Sequence, residues 1–482
     1  MLTAFILLYL LGTILLGRWA AKKVHSAKDF VVAGKNLPIG ISTCVIFATW
    51  FGSETMLGAS SEFAQHGFLG IMEDPFGASL CLVLVGLFFA RKLYRFNILT
   101  FCDFFKIRFG RKAELISALL MIPSYFGWIA AQIVAMGIVI NTVMGFPLEI
   151  SMIASGLIVM GYTYMGGMWS VSVTDFVQTV MIIAGLLIIT GSLVYKAGGL
   201  SNVLQHTPEM HFRFIPHNND WLSWMKYIAA WMTIGLGSIP QQDVFQRLMS
   251  SKSENVAVRS SYLASAMYLV FGLMPILIIM CARVLYPSLF AGEAEKILPN
   301  MVLQHSSLFI QILFFGALLS AIMSTTSGAI LAPATVLGEN IIRPFYKEIS
   351  DKKLLWIIRL SVVIVSVISL VMALSSQNIY ELVASSSILS LVSLFVPLTA
   401  GLYWKRATSL GALLSIILGT IGYGVSEWME TAVPSLMIGL GASILGMLLG
   451  TLIENVIMLP RWLQDKPVDL KLVQIDSSVT SA

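Results

Sequence analysis

Charge is what this chain has least of. Aspartate, glutamate, lysine and arginine make up 11% of its 482 residues, where a soluble domain carries about 25%. So little charge cannot cover the surface of a dissolved protein of this length. The hydrophobic residues, 57% of the total, recur in runs of about 20, each long enough to cross ~30 Å of hydrocarbon. Cysteine is scarce too. Cys44, Cys81, Cys102 and Cys281 form no CxxC pair and no metal-ligand spacing, which excludes a disulfide framework and a zinc site and leaves small core residues. The few histidines include His206, His211 and His217 in one segment, where Pro208 and Pro216 prevent a single helix from gathering them, so they read as part of a solvated loop. No nucleophile–base pair, metal motif or phosphate loop suggests an enzyme. The net charge of +5 follows from where lysine and arginine fall and indicates no nucleic-acid partner.

What is present reads as an all-α polytopic membrane protein. The pattern predicts thirteen transmembrane helices, at about 2–19, 37–66, 72–93, 113–144, 147–165, 168–195, 219–245, 256–285, 298–338, 353–375, 378–403, 407–428 and 432–458. They form a single domain over 1–460, with a short polar tail at 461–482. The first apolar run lacks a basic leader and a small-residue cleavage site, so it is read as a retained span. With the N-terminus outside, most of the 30 lysines and arginines fall on the inner side, among them Arg91-Lys92 and the cluster at 106–112. That asymmetry orients the chain in a plasma membrane of the bacterial inner-membrane type and makes the C-terminal tail cytoplasmic. The bilayer is one partner, with the basic inner face meeting anionic headgroups. A monomer or a loose homo-oligomer both fit.

Two spans are poor continuous helices. VIFATWFGSETMLGAS (45–60) carries Gly52-Ser53 with Glu54 and Thr55 crowded behind, and WMTIGLGSIPQQDVFQR (231–247) packs Gly235, Gly237, Ser238 and Pro240 together. Proline removes an amide and pushes the preceding residue out of the helical region. A break inside a bilayer survives only where the freed backbone faces protein or water. Two breaks five spans apart predict an inverted repeat with a binding site at the midplane. A third span reads GALLSAIMSTTSGAILAP (316–333), in which Ala321, Ser324 and Thr325 share one helix face at i, i+3, i+4 spacing. Two hydroxyls and a carbonyl there make half the oxygen shell of a small hard cation. An ion seat in so apolar a chain points to transport driven by an ion gradient.

GGMWSVSVTDFVQTVMI at 166–182, GSIPQQDVFQRLMSS at 237–251 and LLSAIMSTTS at 318–327, in this order, resemble the motifs of the sodium:solute symporter family, and the similarity runs from the first span to about Pro460. The resemblance implies a LeuT-like core of two inverted five-helix repeats, at about 37–195 and 219–403, with the first span and spans 12 and 13 (407–458) outside it. It implies symport of Na+ with a small organic solute by alternating access. It also implies a sodium site made of the carbonyls of Ala48, Phe51 and Ala321 and the hydroxyls of Ser324 and Thr325.

Some members of the family bind a second sodium through the aspartate that matches Asp175 and through hydroxyls that match Ser327 and Gly328, the last of which cannot contribute one here. Asp175 therefore stands as a second-ion ligand, a gate, a proton carrier or a solvated helix-end charge. Trp50 and Trp128 match two tryptophans of the cage in choline-transporting members, and indole faces attract ammonium groups. Ala78, Gln241 and Val383 stand where those members have further aromatics. Gln132 and Gln241 offer amides to a solute with oxygens. Asp74 matches a solute-contacting carboxylate of sugar-transporting members, yet Asp-Pro is also a helix cap followed by proline at the first helical position. Glu54 either lines the outer vestibule or bonds to neighbouring helices. The solute expected is amine-bearing or zwitterionic: choline, betaine or an amino acid such as proline. The alternatives are a proton-coupled symporter of the same fold and a symporter-fold sensor.

Overall fold

In a computed structural model the chain is described over residues 1–456, apart from His25, Asn97, Asn219, Lys347, Ser376 and Gln377. The expected tail at 461–482 lies outside the described residues. The architecture is helical, and the principal elements are α1 (Leu2–Ala21), α2 (Ile39–Trp50), α3 (Ala59–His66), α4 (Ala78–Leu84), α5 (Arg111–Met144), α6 (Leu148–Lys196), α7 (Trp221–Gly237), α8 (Gln242–Ser250), α9 (Glu254–Leu285), α10 (Leu308–Val336), α11 (Asp351–Ser375), α12 (Ile379–Ser390), α13 (Ser409–Trp428) and α14 (Ser435–Val456).

Among the described residues ten helices are long and apolar enough to cross a membrane by themselves, against the thirteen spans that the sequence predicts. The difference has local causes. The predicted spans 147–165 and 168–195 run on as the one helix α6, which bends at Gly167 with φ 50°, ψ −149°. There an added Cβ would lie 2.5 Å from the Phe30 ring, so glycine is required twice over. The predicted span 37–66 stops after α2, only 12 residues long, and resumes at Glu54 in a π-helical turn that leads into α3. The predicted span 219–245 is divided into α7 and α8 by a turn at Ser238–Pro240.

The helices start where side chains can finish the open N–H groups. Asp220 accepts from Ser223 N at 2.6 Å before α7, Ser253 from Val256 N before α9, Asn378 from Glu381 N before α12, and Thr408 from Gly411 N before α13. At the centre stands α10, buried on every side from Phe314 to Val336, as an all-round apolar helix must be. It packs on α5 and α6, while α13 and α14 pack on each other. Gly450 lies so near Gly411 that a Cβ would meet the Gly411 Cα at 2.6 Å, the close approach that small residues permit between membrane helices. Leu7, Leu8, Leu11 and Leu15 of α1, with Leu445, Leu448, Leu449 and Leu452 of α14, are exposed. An apolar belt of that extent needs lipid against it.

Candidate ion and solute site

The break in the first interrupted span is built by Phe51, with φ −80°, ψ 80°, at the end of α2. Helical bonding lapses there, and side chains from other helices finish the freed groups. Ser324 Oγ reaches the Ala48 carbonyl at 2.8 Å and the Ala321 carbonyl at 2.9 Å, and Thr325 Oγ1 reaches the same Ala48 carbonyl at 3.2 Å. Four of the five oxygens expected at a sodium site therefore meet between α2 and α10. The fifth belongs to the turn beside them: a Cβ on Gly52, next to Phe51, would lie 2.7 Å from Thr325 Oγ1. Ala48, Phe51, Ala321, Ser324 and Thr325 are all fully buried. Five uncharged oxygens suit a weakly held monovalent cation, which would take the hydroxyl oxygens on their lone-pair side.

Beside this seat lies a cavity of 20 Å³, room for little more than one water molecule. Trp50, Glu54, Asp74, Trp128 and Gln241 line it, as do Ala78 and Val383. Gln132 does not. Its amide N donates to Glu54 Oε2 at 2.7 Å and its amide O accepts from Ser53 N at 3.0 Å, so it braces the break from behind. Glu54 bonds to a neighbouring helix, accepting from Trp128 Nε1 at 3.0 Å, and also lines the cavity. Asp74 has the extended backbone that a cap residue takes, at φ −142°, ψ 126°, but among the described residues its carboxylate caps no backbone N–H, and its Oδ1 lies 2.7 Å from the Tyr268 hydroxyl. Asp74 Oδ2 is fully buried and has no hydrogen-bond partner among the described residues.

Asp175 is not a solvated helix-end charge, because it is completely buried and neither of its oxygens has a partner among the described residues. Ser327, predicted to join it, donates back to the Ser324 carbonyl at 2.9 Å. A Cβ on Gly328 would fall on the guanidinium of Arg247. That side chain, 2% exposed, bonds through Nε to Thr49 Oγ1 at 2.9 Å and leaves one terminal nitrogen without a partner. The histidine segment is corrected as well: His211 is buried with its ring on Phe63 and Nε2 at the Ala64 carbonyl, and burial lowers its pKa.

Sequence reasoning passed over several groups at this site. Asp243 accepts from Trp50 Nε1 at 2.7 Å and from the Tyr125 hydroxyl at 2.5 Å. The Tyr268 hydroxyl stands at 2.8 Å from the Trp50 carbonyl and 2.6 Å from the Thr55 hydroxyl. Ser238, Ser386 and Ser387 complete the polar wall. The rule that singled out Asp175, a carboxylate within a span, applies equally to Asp243. Tyr268 sits in an ordinary apolar run and carries no local signal.

The model of the family described as "Sodium:solute symporter family" matches residues 30–419. The human "High affinity choline transporter 1" is 30% identical over 87% of this chain and 75% of its own length. The "Sodium/proline symporter" of Escherichia coli (strain K12) is 24% identical over 86% of this chain and 85% of its own. A solved structure described as the substrate-bound outward-open state of a Na+-coupled sialic acid symporter superposes with a TM-score of 0.81 at 20% identity, over 95% of this chain and 98% of that one. At that identity the likeness shows the fold.

Proposed function

The chain belongs to the sodium:solute symporter family, and from that premise we propose that it is a multi-pass transporter that couples inward movement of Na+ to uptake of a small amine-bearing solute. The observation that carries the reading is the meeting of the Ser324 and Thr325 hydroxyls on the Ala48 carbonyl, at the break that also forms the cavity wall. Sodium enters from outside, draws α2 and α10 onto a common ion, and so sets Trp50 and Glu54 for the solute. Alternating access then releases both inside, where sodium is low. One ion moving down ~100 mV and a tenfold gradient supplies about 2.3 plus 1.4 kcal/mol, enough for an accumulation of several hundredfold.

The same reading takes the two halves of each broken span as one membrane pass and α6 as two. That gives thirteen passes in one domain, with five-helix repeats at about 37–195 and 219–403, the N-terminus outside and the C-terminus in the cytoplasm of a cell with an inner membrane of the bacterial type. Two indoles with the free oxygen of Asp74 favour an ammonium group in the solute. The test is a thermal-shift screen of purified protein, with and without sodium, against choline, betaine, proline, other amino acids, sugars and small carboxylates. Stabilisation by an amine that requires sodium supports the function. Stabilisation by a sugar, or by any solute equally without sodium, removes it. A second reading, proton coupling through Asp175, has its buried unpartnered carboxylate in its favour, and uptake in sodium-free acid buffer would establish it instead.

A further inference from the structure

Both tryptophans of the cavity give their indole N–H to a buried carboxylate, Trp128 to Glu54 and Trp50 to Asp243. Glu54 lines the cavity; Asp243 does not. It sits behind Trp50, in a space that Thr49, Val244 and Arg247 also line. Its two oxygens are held by neutral donors, the indole at 2.7 Å and the Tyr125 hydroxyl at 2.5 Å. Arg247 turns its Nε to Thr49 and only one terminal nitrogen toward the Asp243 backbone carbonyl, at 3.4 Å. Neither of the two hydrogen bonds requires a charge, since an amide oxygen satisfies an indole N–H as well. A carboxylate in a membrane interior is costly. The buried Arg247 guanidinium one turn on offsets only part of that cost, since it bonds to Thr49, Gln246 and the Asp243 carbonyl and not to the carboxylate. The charge at the indole edge is the feature to explain. What it adds is a field. Negative charge at the indole edge makes the ring faces more negative, and those faces bind cations.

Among the described residues the surroundings offer a solute anion neutral donors such as Gln241 and Ser387 but no cationic anchor. Glu54 and Asp74 line the cavity, and among the described residues no lysine, arginine or histidine does. The freed amide of Ser53 is taken by Gln132, and that of Asp243, at the start of α8, by the Tyr125 hydroxyl. We propose that Asp243 is a positioning residue that makes this cavity selective for a solute of net positive charge over a zwitterion: it fixes Trp50 by its edge and polarises the ring that meets the solute's ammonium group. The inference rests on reading this cavity as the solute site.

The test measures binding to full-length protein in sodium of choline and of 3,3-dimethyl-1-butanol, which has the same shape without the charge, with betaine as the zwitterion. The wild type prefers choline over both. Asp243→Asn lowers choline affinity about tenfold, leaves the neutral alcohol unchanged and keeps the sodium-induced thermal shift, while Asp243→Glu retains the preference. Equal loss of choline and alcohol, or an unchanged ratio in D243N, reduces Asp243 to packing and overturns the inference alone. A wild type that binds choline no better than the alcohol, or binds neither, overturns the reading of the cavity with it. Should D243N fail to fold, Trp50→Phe cuts the link from the other side, and an unchanged ratio there overturns the inference too.

Discussion

Ser324→Ala tests the ion seat with little damage to the protein that surrounds it. Without sodium, the substitution removes a hydroxyl whose single proton is shared between the Ala48 carbonyl at 2.8 Å and the Ala321 carbonyl at 2.9 Å. Ala48 is not orphaned, because Thr325 still reaches it at 3.2 Å. The cost to the sodium-free protein is therefore that of one neutral hydrogen bond, about 1 kcal/mol. With sodium bound, the same substitution deletes an oxygen that faces a charge, worth roughly 1.5–3 kcal/mol; set against the loss in the sodium-free protein, about 0.5–2 kcal/mol of affinity goes and half-saturating sodium rises about 2- to 30-fold. Thr325→Val behaves alike, with Ser324 left on Ala48.

The double variant separates the two effects. It strips both hydroxyls from a carbonyl that is fully buried, so its sodium-free stability falls below the sum of the single variants by about 1–3 kcal/mol. Thermal unfolding at graded sodium gives the affinity and the stability in one titration, and uptake into proteoliposomes gives the half-saturating sodium independently. Half-saturation within twofold of wild type in both single variants would refute the seat. Additive stability losses in the double variant would refute the shared carbonyl.

Three further outcomes are expected. Gly52→Ala places a methyl 2.7 Å from both Thr325 Oγ1 and Glu54 Oε2 and 2.9 Å from Gln132 Oε1; sodium-dependent stabilisation should vanish from a folded protein, and an unaltered titration contradicts the contact between break and seat. Gly328→Ser adds the hydroxyl found in two-sodium members but drives into Arg247, detaching it from Thr49; uptake should fall about tenfold with no gain in the Hill coefficient for sodium, and a raised coefficient with intact uptake argues otherwise. Glu295, which accepts from Ile379 N at 3.0 Å, has its pKa raised by burial from 4.5 to about 7. The folded protein thus holds this proton more tightly than the unfolded chain, so its contribution to stability is greatest below pH about 4.5 and is lost as pH rises to about 7. Melting curves of Glu295→Gln should be flatter between pH 5 and 8 than those of wild type, and parallel curves tell against it.

The membrane class and the hydroxyl face of α10 were legible because each is written locally. Apolar runs of fixed length and an i, i+3, i+4 hydroxyl face follow from helix geometry alone, and Ser324 and Thr325 lie where that face placed them. The breaks announced themselves through Gly52 and through Pro240. The span count was less legible, because a sequence pattern does not tell a bend from a break: the boundary predicted between 165 and 168 falls on the bend of α6 at Gly167, through which the helix runs on. Asp74 stood between two readings for a related reason: Asp-Pro carries a local capping signal, but its carboxylate is claimed by Tyr268, 194 residues away in sequence.

Three consecutive residues show what such distant claims do. The Ala48 carbonyl takes hydroxyls from α10, the Thr49 hydroxyl takes Arg247 of α8, and Trp50 gives its N–H to Asp243 of α8 and receives Tyr268 of α9 on its carbonyl. These partners lie 193 to 277 residues away along the chain, so no window of sequence contains them. They are nonetheless obligatory, since a helix that ends inside a bilayer has no water to finish its open groups. The end of α2 is therefore only as fixed as its partners make it. Under the proposed function this is the useful property: Ala48 belongs to the ion seat and Trp50 to the cavity wall, with one residue between them on the same terminal turn. An ion that draws on the Ala48 carbonyl thus acts within two peptide units of the indole that meets the solute, and the coupling needs no long relay through the helix packing.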